Sequence, residues 1–300
     1  MMKKIFLMMA LALVALCGCK SDKKTSDEDN QMIKAASKSK DYQRLLLLTD
    51  SLEKAGDIVP ATANYWRGYA CERMKRKDEA VSYWRSVVDS GEQLRQEEEL
   101  ASYAKSASRL VNQLCLNGDY QGALQTALPV TSRLESLACD TTSDYVNLLI
   151  YIGLCQLVVD NHSDEQSSSL LSAIDKHREN IARKRSDEAY KDAIAGLVNI
   201  IYYCAKAGKP KEALFYTNSF GGLLMEYEER PGVDTNYVDR QAGRYTIYKA
   251  WALKQLGRTK EAKEAFETFL QTRYSKEPEG MAVAADYQSD TGETEYSSDL

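Results

Sequence analysis

The chain has 300 residues, 44% hydrophobic and 28% charged, enough apolar material for one large domain or an extended array with a continuous core. Its formal net charge is −5, which argues against nucleic acid, since a phosphate backbone needs a basic face to neutralise it.

The first segment reads as an address. Lys3 and Lys4 precede a short apolar run, Ile5 to Leu16, and Leu16-Cys17-Gly18-Cys19 closes it with small residues. Such a run falls short of the ~20 apolar residues that span a bilayer, so residues 1–18 read as a signal peptide. Leu16-Cys17-Gly18-Cys19 resembles a bacterial lipobox, and that resemblance implies that Cys19 becomes the lipid-bearing first residue of the mature protein. The alternative is an ordinary cleaved signal with coincidental cysteines. The expected location is the cell envelope, lipid-anchored to a membrane. Lys20-Ser21-Asp22 carries no strong acidic sorting cluster, which favours a periplasm-facing lipoprotein. Residues 19–40 read as a polar tether, acidic at Asp27 to Asn30, with the start of a first helix.

From residue 41 to 278 the pattern is helical throughout. Asp41 to Ala55 carries an apolar face and stops at Gly56-Asp57, as the second helix of a degenerate first hairpin would. Paired helices follow at Ala61 to Met74 with Asp78 to Ser90, Glu97 to Leu116 with Tyr120 to Leu134, and Tyr145 to Val159 with Asp164 to Ile181. Asp187 to Ala207 pairs with Glu212 to Glu229, and Tyr237 to Leu256 pairs with Lys260 to Tyr274. Met281 to Tyr287 starts a seventh unit. From Asp286 onward the chain is acidic and lacks an apolar face, so residues 279–300 read as an incomplete repeat with a disordered tail.

One register recurs at four of the turns: Lys75, Ala80, Trp84; Gly118, Ala123, Ala127; Gly208, Ala213, Thr217; Gly257, Ala262, Phe266. The first residue sits in the turn and the alanine one turn into the second helix, where a small side chain lets two helices approach. The alanines are 43, 90 and 49 residues apart, so the middle interval holds two units of about 45 residues. The pattern resembles the tetratricopeptide repeat. That resemblance implies an all-α, right-handed solenoid of antiparallel helix hairpins, about six repeats long.

Placed on this register, Cys71, Cys115, Cys155 and Cys204 fall on the buried faces of first helices and read as buried thiols. Their spacing offers no metal-ligand set. His162 in a turn and His177 in a charged helix read as solvated. There is no phosphate loop, GxSxG elbow, HExxH or calcium loop, so the chain is expected to be no enzyme and to use no cofactor or metal.

The runs Leu52 to Gly56, Tyr65 to Ala70, Ser143 to Gly153, Tyr190 to Ile194 and Thr272 to Ser275 are similar to the extracytoplasmic repeat sensor region of certain bacterial membrane histidine kinases. In that family a transmembrane helix and a kinase follow. Here the similarity stops at about Gln288, with neither a second apolar segment nor a kinase motif.

In arrays of this kind the first helices line a groove. The positions expected to be exposed there are Tyr65, Tyr69, Glu72 and Arg73; Asn112; Tyr202 and Lys206; Arg244, Trp251 and Lys254. Tyr, Trp and Arg are the residue types that anchor interfaces. The same aromatics would serve equally to fill space between neighbouring hairpins. The expected function is a non-catalytic scaffold on a membrane anchor, binding a peptide or protein in the envelope. The alternative is a signal-sensing input domain, or truncated remnant, of a histidine-kinase-type system.

Overall fold

The computed structural model describes residues 27–140, 142–159 and 167–289. The expected signal peptide, Cys19, His162 and the end of the acidic tail lie outside the described residues. The chain divides into two compact units, Met1–Leu110 and Val111–Leu300.

Thirteen α-helices and two short 3-10 turns make up the described secondary structure, and no strand occurs among the described residues. The helices are α1 (Asp27–Lys38), α2 (Tyr42–Ala55), α3 (Pro60–Arg73), α4 (Lys77–Asp89), α5 (Glu97–Leu116), α6 (Tyr120–Ser136) and α7 (Ser143–Val159). They continue as α8 (Ser168–Lys184), α9 (Asp187–Lys206), α10 (Pro210–Glu228), α11 (Thr235–Gln255), α12 (Thr259–Leu270) and α13 (Pro278–Ser289). The fold is all-α and tetratricopeptide-like, a succession of first and second helices.

The four repeated turns share one geometry, and it explains the register. Lys75, Gly118, Gly208 and Gly257 all adopt left-handed backbone, with φ of 64°, 78°, 64° and 72°. In each turn the following amide reaches back across the end of the first helix: Arg76 to the Cys71 carbonyl, Asp119 to Leu114, Lys209 to Cys204, and Arg258 to Leu253, at 2.8 to 2.9 Å. These are Schellman closures, which satisfy carbonyls that the helix end leaves open. Ala80, Ala123, Ala213 and Ala262 are then all buried, as the register requires. Thr217 breaks the apolar pattern at no cost, because its hydroxyl donates to the Ala213 carbonyl at 2.7 Å.

Within the first unit, α1 packs on α2, α2 on α3, and α3 on α4. Residues Asp27 to Asn30 are the first turn of α1, not tether, because Ile33 and Ala36 of the same helix join a core with Leu45, Leu52 and Ile58. The α3–α4 contact has a large-into-small geometry. Trp84 is fully buried, and a Cβ at Gly68 would stand 2.3 Å from its indole Nε1, so only glycine admits the ring.

Within the second unit, each first helix also touches the next first helix: α7 with α9, α9 with α11, and α11 with α13. The last of these corrects the expected tail. Asp286 to Ser289 are helical, because α13 occupies the place of the next first helix. Tyr287 stacks on Phe266 with ring centroids 4.5 Å apart, and Asp286 pairs with Lys206 at 3.4 Å. Among the described residues no helix is long and apolar enough to cross a membrane.

Candidate functional site

The expected groove residues divide between the two units, and each set has a distinct fate. In the first unit, α2 and α3 bring Tyr42, Trp66 and Tyr69 together as a half-buried shelf. Tyr42 and Tyr69 meet edge to face at 6.2 Å, Tyr69 and Trp66 at 5.6 Å, and Trp66 and Tyr65 at 5.1 Å. Such pairs fix the ring positions without closing off their outer faces. Cations surround the shelf. The exposed Arg73 donates to the Tyr42 hydroxyl at 3.2 Å and lies over its ring. Arg109, on α5, lies over the Tyr69 ring at 5.7 Å and donates to Glu72 at 3.0 Å, while Lys105 lies over Tyr65. Tyr65 itself is buried, 9% exposed, so it supports the shelf from beneath and is not part of an open groove. Tyr42, Trp66, Lys105 and Arg109 were outside the sequence-derived set. Tyr42 joins members of that set only across the α2–α3 pairing and Lys105 and Arg109 only because α5 packs here, whereas Trp66 lies beside Tyr65 and one turn before Tyr69 on α3 itself.

In the second unit, the same positions are already occupied. Trp251 is only 3% exposed, which corrects its assignment to an exposed surface. It packs edge to face on Tyr202 at 6.1 Å, so these rings fill the space between α9 and α11. Tyr202 and Asn112 are half-buried, the latter accepting from the Tyr203 hydroxyl at 3.4 Å. The three cations of this set all turn to α13. Lys206 pairs with Asp286, and Arg244 pairs with Glu279 while lying over the Tyr274 ring. Lys254 donates to the Tyr287 carbonyl at 2.6 Å and lies over that residue's ring. The face chosen from sequence is therefore, in this unit, the seat of the next first helix.

His177 corrects another expectation. It is buried, its Nε2 has no hydrogen-bond partner, and a Cβ at Gly196 on α9 would stand 2.5 Å from that nitrogen. Burial pulls its pKa down to about 4, opposed weakly by Asp192. A neutral imidazole here packs as an apolar plate, because α8 turns this face towards α9 while its other faces carry the charges. Cys71, Cys115, Cys155 and Cys204 are free and buried, as expected, and the Cys115 and Cys155 sulfurs lie 3.3 Å apart. Among the described residues no group of three or more His, Cys, Asp or Glu side chains is placed to hold a metal.

Residues 249–273 match the tetratricopeptide repeat. The matched stretch covers the end of α11, the Gly257 turn and all of α12. No curated protein matches the chain. Among solved structures it is similar to NprR in the crystal structure of its complex with its cognate peptide NprX, at 14% identity over 95% of this chain and 77% of that one, with a TM-score of 0.43.

Proposed function

We propose that the chain is a non-catalytic helical-repeat scaffold that binds a peptide or protein segment in the cell envelope, held at a membrane, on its periplasmic face, through a lipid on Cys19. The observation that carries the binding reading is the shelf of Tyr42, Trp66 and Tyr69 with Arg73 and Arg109 around it. Rigid, half-exposed aromatics ringed by guanidinium groups have the composition of interface hot spots. The lipid anchor is supported by the Leu16-Cys17-Gly18-Cys19 run alone.

A photo-crosslinking residue at Arg73, in the full chain expressed in its membrane, tests the first part. One partner should be captured, and Trp66→Ala or Tyr69→Ala should weaken its binding by roughly thirtyfold, as hot-spot truncations of ≥2 kcal/mol do. Lys77→Ala, an exposed residue on α4, should leave it unchanged. Equal capture by all three variants would move the site elsewhere. For the anchor, Cys19→Ala should release the protein from the membrane fraction or stall its precursor, and retention with normal maturation would refute it.

A further inference from the structure

The array's own pairing consumes Lys206, Arg244 and Lys254, which raises the question of where this acidic chain keeps cations in reserve. The answer lies where the C-terminal part of α8, the start of α9 and the end of α10 come together in the second unit. A cavity of about 450 Å³ opens there, within the size range of small-molecule sites, and three arginines line it: Arg178, Arg185 and Arg230. Ile181 and Leu223 supply an apolar wall.

The three arginines are not equivalent. Arg230 is fixed: its guanidinium lies over the Tyr190 ring at 4.5 Å, and its Nη2 donates to the Arg185 carbonyl at 3.2 Å. Its Nη1 is buried without a hydrogen-bond partner, the nearest carboxylate oxygen, on Asp187, standing 3.9 Å away. Because that nitrogen is closed to solvent, Arg230 acts on anything entering the cavity through its charge. Arg178 and Arg185 are exposed at the rim, and neither has an ion pair or side-chain hydrogen bond among the described residues. Asp187 offsets the Arg230 charge only in part, because its closer partners are Lys191 at 2.7 Å and the Tyr227 hydroxyl.

We infer that this cavity binds a carboxylate attached to an apolar body, the carboxylate between the three guanidinium groups and the body against Ile181 and Leu223. Two features select this class among anions. A bare oxyanion would leave the apolar wall uncovered. Glu226 also lines the cavity, held by the Tyr190 hydroxyl at 2.6 Å, and it opposes a doubly charged group more than a singly charged one. The site shares no residue with the aromatic shelf of the first unit, and its existence does not depend on that reading.

Titration of the mature protein with N-acetyl-leucine, followed by NMR of arginine Nε–H groups, tests the inference. Saturable shifts are expected at Arg178, Arg185 and Arg230, and Arg178→Gln or Arg185→Gln should each weaken binding by roughly tenfold, the loss of one charge-assisted contact. Both side chains are exposed, so the variants should fold, and Arg76→Gln on the first unit serves as the unaffected control. 4-Methylpentanoate carries the same body and charge without the acylamino group. Tighter binding of N-acetyl-leucine assigns the cavity to a peptide C-terminus, and equal binding assigns it to a simple aliphatic acid; either supports the carboxylate site. Equal binding of uncharged N-acetyl-leucinamide, tighter binding of inorganic phosphate, or no saturable shift at the three arginines would overturn it.

Discussion

Lowering the pH from about 7.5 to about 4.5 should destabilise the second unit through one side chain, His177. In the unfolded chain its imidazole titrates near 6.5, and in the folded chain burial among α8 and α9 lowers this to about 4. Because the folded value is the lower one, the unfolded state binds the proton first. The contribution is therefore complete above pH ~6.5 and is lost progressively as the pH falls towards ~4. Integrating over that window from pH ~7.5 to ~4.5 gives a loss of roughly 2–3 kcal/mol. Asp192 opposes the shift, and carboxylates elsewhere titrate in the same range, so the quantity to measure is a difference. His177→Leu keeps a similar volume, removes the unpartnered Nε2 and cannot titrate. Urea unfolding followed by circular dichroism should show wild type losing roughly 2–3 kcal/mol more than the variant between the two pH values. NMR of the ring protons should place the native pKa well below that of a free histidine. Parallel pH dependence in the two proteins, or a ring that titrates near 6.5, would refute the reasoning.

Other outcomes follow from single contacts. Lys75→Gly should raise stability by ~1 kcal/mol, since an L side chain at φ 64° carries a penalty that glycine lacks; an unchanged melting temperature would argue against the turn geometry. Gly68→Ala should cost ~1–3 kcal/mol or more by driving a methyl into Trp84, and a wild-type melting curve would show that the ring can move. Under an added chemical oxidant, Cys115 and Cys155 should form the one intramolecular disulfide, losing two hydrogens by mass, from sulfurs that already stand 3.3 Å apart. The reaction should be slow at neutral pH, because the Cys115 contact and burial keep the Cys155 thiol protonated. A crosslink involving Cys71 or Cys204 instead would be inconsistent with the packing.

The local rules of the fold were legible in the chain. A left-handed turn residue, an alanine five positions on and alternating helical faces are all short-range constraints, so Gly118, Gly208 and Gly257 announce their turns and Ala80, Ala123, Ala213 and Ala262 their burial. Even Lys75, the non-glycine among the four register turns, is identified by register rather than by type. What a face meets is a different matter, because it depends on helices dozens of residues away. Trp251 and Tyr65 have the composition of an interface, yet the neighbouring first helices cover them. Arg244, Lys206 and Lys254 look free until α13 arrives with Glu279, Asp286 and Tyr287. His177 sits among charged residues in sequence and among apolar ones in space. Arg178 and Arg185 at the end of α8 and Arg230 after the end of α10 line one cavity only because α8, α9 and α10 pack as they do. Helical periodicity tells which residues share a face; only the packed structure decides whether that face meets solvent, a neighbour or a ligand.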